Sequence, residues 1–234
     1  RQHLPVPVIT SNRINTPEVA EDILVRGDAD MVSLARPLLA DADFVNKAQA
    51  DRADDINTCI ACNQACLDHI FNGQLTSCLV NPRACHELEL TISSTDKPKK
   101  IAVVGAGPAG LAAAVTAAER GHRVTLFDAS DKIGGQFNLA KRIPGKEEFN
   151  ETLRYYAQQL QNFGVETRLN ERVSAAVLND SDFDEVIVAT GIAPRLPDIE
   201  GVDHPSVHSY VDVINGTAEI GPRVAVIGAG GIGF

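Results

Sequence analysis

Ile101-Ala102-Val103-Val104-Gly105-Ala106-Gly107-Pro108-Ala109-Gly110 is the stretch that decides the fold. Its apolar start reads as a buried strand, and Gly105-x-Gly107-x-x-Gly110 then turns the chain into a helical segment from Pro108 to Arg120, closed by Gly121. His122 to Asp128 is the next strand. Strand, glycine turn, helix and strand make one parallel βαβ unit, in which each glycine has a task. Gly105 permits the tight turn, Gly107 lets backbone approach a pyrophosphate at the helix start, and Gly110 lets helix and strand close up. Ala106, Pro108 and Ala109 complete the loop. Asp128, at the end of the second strand, supplies a carboxylate that can accept hydrogen bonds from ribose hydroxyls. The pattern alone does not separate FAD from NAD.

The same pattern returns at an offset of 123 residues as Val224-Ala225-Val226-Ile227-Gly228-Ala229-Gly230-Gly231-Ile232-Gly233. A second strand and glycine loop are therefore expected, with Gly228, Gly230 and Gly233 at a second dinucleotide. Only Phe234 follows this loop, and the sole methionine is Met31, so the sequence reads as an internal piece of a longer polypeptide. Between the two loops the pattern predicts a helix over Lys146–Phe163, a strand near Val165–Leu169, a further strand over Arg172–Val177 and a buried strand over Glu185–Gly191. Prolines 194, 197, 205 and 222 mark connectors.

Upstream, Val6–Thr10 reads as a short strand, and Thr16 as the N-cap of a helix from Pro17 to Arg26 that ends at Gly27. Met31–Arg36 reads as a second strand, followed by an Ala-rich helix near Asp41–Ala50. This β-α-β-α order fits any parallel α/β fold. From Asp51 to Lys100 the pattern weakens into a cysteine-bearing linker. A length of 234 residues allows one to two domains, and 44% hydrophobic against 22% charged residues is ordinary globular usage. The net charge of -10 has the wrong sign for a nucleic-acid binder, and no run nears the ~18 apolar residues of a membrane span. A soluble, cytoplasmic protein with neither partner is expected.

Four of the five cysteines form Cys59-x2-Cys62-x3-Cys66-x11-Cys78, a spacing that can close a tetrahedral ligand set. Zinc and a 4Fe-4S cluster both satisfy the count, and a disulfide pair is the weakest option without a secretory signal. Cys85 is a spare thiol. Gly134-Gly135-Gln136 and Ala189-Thr190-Gly191 resemble the flavoprotein disulfide-reductase type of FAD domain. That likeness implies FAD contacts at Gly135, Gln136, Thr190 and Gly191, with Val173 and Ala189 beside them.

Cys59-Ile60-Ala61-Cys62-Asn63-Gln64-Ala65-Cys66 with Cys78-Leu79-Val80-Asn81-Pro82, set between a parallel α/β end and GAGPAG, resembles the bacterial 2,4-dienoyl-CoA reductase family. These are iron-sulfur flavoproteins with an old-yellow-enzyme barrel. The resemblance spans nearly the whole chain. It implies four parts: the last two βα units of an FMN-binding TIM barrel (1–55), a 4Fe-4S segment (56–98), the first part of a Rossmann-like FAD domain (99–192) and the start of an NADPH domain (193–234). It assigns the cluster to Cys59, Cys62, Cys66 and Cys78, and the FMN phosphate to the strand ends Asn12-Arg13 and Ala35-Arg36. The implied reaction is NADPH-dependent reduction of 2,4-dienoyl-CoA, with electrons passing from NADPH to FAD, the cluster, FMN and the substrate. The proton donor would lie upstream of Arg1, so no catalytic residue is assigned and the piece alone is expected to be inactive.

In the related trimethylamine dehydrogenases the second cysteine gap is x2, whereas here it is x3. The intact second glycine loop favours the reductase branch. An enoate reductase or amine dehydrogenase of the same architecture, and an FAD-binding electron-transfer module with structural zinc, remain as alternative readings.

Overall fold

Four parallel strands in the order β5-β4-β3-β6 form the central sheet: Lys100–Val104 (β3), Arg123–Phe127 (β4), Glu166–Arg168 (β5) and Glu185–Val188 (β6). The computed structural model describes residue 1 and residues 3–228. Val104 pairs with Phe127 on one side and with Val188 on the other, so three strand ends stand level beside the glycine loop. Ala102 and Val103 are fully buried, as a central parallel strand covered on both faces requires.

Helix α5, Pro108–Glu119, has Gly107 as its N-cap and proline in its first turn, where the missing N–H costs nothing. Its Leu111, Ala114 and Val115 meet Leu153 and Leu160 of α7, Phe149–Asn162, and all pack against Ile101, Val103, Val124 and Leu126 of the sheet. Apolar burial at about 25 cal/mol per Å² makes this cluster the main source of stability. It also fixes where the ends of β3 and β4 stand.

The N-terminal unit is a parallel pair, Ile9–Ser11 (β1) with Met31–Ser33 (β2), joined through α1, Pro17–Val25. Thr16 caps α1 by accepting the Val19 N–H, as its sequence predicts. The Ala-rich region is not one helix near 41–50. It divides into Arg36–Ala40 (α2) and Phe44–Gln49 (α3), because the Asp41 carboxylate accepts the Asp43 N–H and breaks the run.

The supposed linker is also more than a connector: residues 56–60 are all buried, and Leu67–Phe71 forms a short helix, α4. Arg172–Val177 is not a strand. Ser174 accepts the Val177 N–H and starts a helix over Ala175–Asn179 (α8), a cap signal that outweighs the β-branched residues beside it. Two short helices, Phe137–Ala140 (α6) and Tyr210–Asn215 (α9), have no counterpart in the sequence reading.

At the second glycine repeat the expected strand over 224–227 is absent from the described residues; this stretch is irregular, with Val224, Val226 and Ile227 exposed. A parallel strand exists only where a neighbour accepts its hydrogen bonds, and none pairs with it among the described residues. The accessible surface of 15274 Å² exceeds the roughly 10,000 Å² of a compact monomer of this size, and most of residues 189–228 are exposed.

Leu111 has no solvent exposure, while Leu88 is 96% exposed. Leu111→Ala should cost about 2–5 kcal/mol and Leu88→Ala under about 0.5 kcal/mol in urea unfolding. Equal losses would show that the nucleotide fold does not rest on the α5–α7 core.

Candidate functional site

Two sites lie on this frame, a groove at the strand ends and a cavity among the cysteines. The groove, about 590 Å³, opens where β4 and β6 leave β3 on opposite sides, the topological switch point of an open α/β sheet. Gly105, Gly107, Pro108 and Ala109 form one wall and Asp128 to Ser130 the next; Gly135, Gln136, residues 171–173 and Ala189 to Ile192 close it. Every residue predicted for the first dinucleotide lines it except Ala106 and Gly110, which are buried. Ser130, Glu171, Arg172 and Ile192 were not read from the sequence, because they reach the groove through strand order and belong to no local motif.

The glycines of the loop answer to two different demands. A Cβ on Gly110 would stand 1.7 Å from the Gly105 carbonyl oxygen, and one on Gly105 would meet the Ala189 oxygen at 2.3 Å, so the fold itself requires both. Gly107 has φ -74° and nothing within 4 Å of its Cβ position. Nothing inside the fold calls for glycine there; the space it leaves belongs to the groove. The N–H groups of Gly107, Ala109 and Gly110 have no acceptor among the described residues, and they sit at the N-terminus of α5, where an anion is favoured. These are the features of a pyrophosphate cradle.

Asp128 is tied to the loop on both sides. Its Oδ2 accepts the Ala106 N–H at 2.6 Å and its Oδ1 accepts the Ser130 N–H at 2.8 Å, so the carboxylate holds the glycine loop in place. Each oxygen still has capacity for a second donor. Gln136 Nε2 donates to the Ile192 carbonyl at 2.9 Å and ties the two loops across the groove.

Cys59, Cys62, Cys66 and Cys78 line one cavity with Arg36 and the apolar Leu39, Ile60, Leu79 and Val80. Cys85 is exposed and outside it. Ala61 and Asn63 adopt the left-handed region, with φ of 53° and 62°, which curls the Cys59–Cys66 loop around the cavity. Burial pushes the Cys59 thiol up; the Ala61 N–H and the Arg36 guanidinium pull it back, and Cys62 and Cys66 add to the rise. Burial likewise raises Cys78, against the N–H groups of Val80 and Asn81. Thiolates here would receive N–H···S hydrogen bonds and the nearby charge of one arginine.

No three His, Cys, Asp or Glu side chains among the described residues converge as they do on one metal ion.

Asn12-Arg13 and Ala35-Arg36 follow β1 and β2 at their carboxyl ends, and Arg36 donates to the Asn12 side chain at 3.4 Å. The two strand ends meet, yet Arg13 is paired with Glu148 at 2.6 Å and Arg36 turns to the cysteine cavity. Ala35 is exposed at the start of α2. Of the second glycine loop, Gly228 has φ 110°, while Gly230 and Gly233 lie outside the described residues.

Comparison with known proteins matches residues 99–234 to the family described as pyridine nucleotide-disulphide oxidoreductase and residues 1–55 to the NADH:flavin oxidoreductase / NADH oxidase family. A metal reductase of Desulforamulus reducens is 40% identical over 100% of this chain and 36% of its own length. A cinnamate reductase of Clostridium sporogenes is 37% identical over 97% of this chain and 34% of its own length. A solved 2-naphthoyl-CoA reductase in complex with 2-naphthoyl-CoA superimposes with a TM-score of 0.90 at 36% identity, covering 94% of this chain and 34% of that one. The chain spans about a third of the length of the curated relatives it matches. No helix among the described residues is long and apolar enough to cross a membrane.

The contrast between Gly107 and Gly110 can be tested directly. Gly107→Ala should melt like the parent protein but bind FAD at least about tenfold more weakly, or ~1.4 kcal/mol, by fluorescence titration. Gly110→Ala should fail to fold. Wild-type FAD affinity in a folded G107A protein would mean that the groove wall cradles no pyrophosphate.

Proposed function

This chain belongs to the pyridine nucleotide-disulphide oxidoreductase family, and on that premise we propose that it is the flavin- and cluster-binding section of an NADPH-dependent reductase of conjugated acyl-CoA thioesters, with 2,4-dienoyl-CoA as the substrate class. The observation that carries this reading is the pairing, on one polypeptide, of a dinucleotide groove with a cavity lined by four thiols. Either feature alone suits many proteins. Together they suit a protein that divides a hydride into single electrons.

The residues fit the groups this requires. The N–H groups of Gly107 and Ala109, which line the groove, would bind the FAD pyrophosphate, and Asp128 keeps the loop that presents them in shape. Four thiols around one cavity, with N–H donors beside them, match the ligand count of a 4Fe-4S cluster. Arg13 and Arg36 stand at adjoining strand ends where a barrel holds the FMN phosphate, and Gly228, Gly230 and Gly233 would serve NADPH. When bound, these groups supply the conversion of a hydride into single electrons and back again.

Support for the substrate class comes from the similar proteins: 2-naphthoyl-CoA is a thioester with a carbonyl conjugated to a ring, and cinnamate is a conjugated carboxylate. Among the described residues of 1–55 the strands are β1 and β2, and the strands that would enclose an acyl chain are not found there. No proton donor is assigned within this chain.

In the full-length polypeptide, Cys59→Ser, Cys62→Ser, Cys66→Ser and Cys78→Ser should each lose most of the bound iron, and Cys85→Ser should keep it. The same protein should oxidise NADPH when given 2,4-hexadienoyl-CoA. Iron loss in C85S equal to that in C62S would sink the ligand assignment, and NADPH consumption indifferent to the thioester would sink the substrate class.

A further inference from the structure

We propose that Arg154 is a positioning residue for electron transfer between the two sites: from helix α7 of the nucleotide unit its guanidinium grips the backbone that delivers Cys59, and so holds the cysteine site at a fixed distance from the flavin groove. This rests on the flavin and cluster reading above and extends it to a residue that belongs to neither site.

Arg154 lines neither the groove nor the cavity. Its Nε donates to the Glu151 Oε2 at 2.7 Å, one turn back on the same helix, which holds the guanidinium fork in one orientation. Its Nη1 donates to the Asp54 carbonyl at 2.5 Å, and its Nη2 to the Ile56 carbonyl at 2.8 Å and the Thr58 Oγ1 at 3.1 Å. The three acceptors fall on every second residue and lead up to Cys59, within a stretch whose residues 56–60 are all buried. A planar fork suits this grip. A lysine ammonium, a point charge on a flexible stem, cannot reproduce it.

The residue before Arg154 makes the other half of the connection. Leu153 packs so closely under the glycine turn that a Cβ on Gly134 would stand 2.8 Å from its Cδ2. Gly134 donates its N–H to the Ala106 carbonyl at 2.7 Å, and Gly135 and Gln136 line the groove. Two successive residues of α7 therefore touch the turn behind the groove wall and the backbone entering Cys59. At the end of the same helix Asn162 donates to the Asp55 Oδ1 at 2.7 Å, a tie that does not reach residues 56–60.

Each transfer oxidises the reduced flavin by one electron and reduces the cluster by one; NADPH supplies the electron pair as hydride, and the flavin proton passes to solvent. No bond forms between the two groups, so the rate of this step follows their separation and orientation. A misplacement of about 1 Å caused far from the reacting groups can cost on the order of a hundredfold in rate. Loosening the grip of Arg154 should therefore appear in the transfer step before it appears in the binding of either group.

The test is anaerobic rapid mixing of the full-length, FAD- and iron-loaded protein with NADPH, with flavin bleaching followed by absorbance and cluster reduction by freeze-quench EPR. Iron, FAD and melting temperature are measured in each sample. Arg154→Lys should keep FAD and iron and accept hydride from NADPH as the wild type does, while electrons reach the cluster at least about tenfold more slowly. Thr58→Val removes one acceptor and should slow the same step by less. Asn162→Ala cuts the tie to Asp55 alone, and should lower the melting temperature without slowing transfer.

A wild-type transfer rate in R154K with FAD and iron intact overturns the proposal, and so does equal slowing in N162A, which would mark general loosening of the helix. If R154K cannot hold iron, a wild-type rate in T58V overturns it instead. Wild-type protein that binds no FAD or no iron overturns the reading beneath this proposal, whereas both groups bound with unmoved rates overturn this proposal alone.

Discussion

A buried stretch of backbone without helix or sheet around it, Ile56 to Ile60, is the constraint on which the two sites depend. Water cannot satisfy its polar groups, so side chains from elsewhere must. Arg154, on α7, donates to the Ile56 carbonyl at 2.8 Å, to the Thr58 Oγ1 at 3.1 Å and to the Asp54 carbonyl at 2.5 Å. Asp41 accepts the Asn57 N–H at 2.8 Å, and Asn15 donates to the Cys59 carbonyl at 3.1 Å. Lys47 neutralises Asp41 at 2.6 Å and also reaches the Asp55 carbonyl. Breaking one partner of such a buried pair typically costs about 3–5 kcal/mol. Helix α7 thus packs Leu153 and Leu160 into the nucleotide core while its Arg154 holds the backbone that leads into Cys59. The groove and the cavity share one support.

The glycine loop shows how a ligand site and a fold can place different demands on neighbouring positions. Gly105 and Gly110 are needed for backbone to pass backbone, and Gly107 for what lies outside. Asp128 serves both sides: two N–H donors fix its carboxylate, each such charge-assisted bond being worth about 1.5–3 kcal/mol, and its remaining lone pairs stay free for a ligand. The loop is therefore held in shape by the fold itself, so less ordering would remain for a bound ligand to complete.

Local patterns revealed the βαβ unit, the Thr16 cap and the four clustered thiols, because each is written in residues a few positions apart. Arg154 and Asn15 left no such trace. Their partners lie about 100 and 44 residues away, and neither carries a motif. Asp128 was legible as a strand-end acid but not as the clamp of Ala106, since that bond depends on the β3–β4 register. Arg36 was read through a barrel phosphate site, and only the fold shows it turned toward the cysteines. The strand expected at 224–227 failed for the opposite reason: its residues are suitable, but strand structure needs a neighbour.

The central claim is that Cys59, Cys62, Cys66 and Cys78 surround a multi-iron core beside a flavin groove. X-ray absorption at the iron edge of the anaerobically purified full-length protein tests it most directly. The account predicts a sulfur-only first shell together with iron–iron scattering. A zinc edge with four sulfur neighbours and no metal–metal scattering would contradict it.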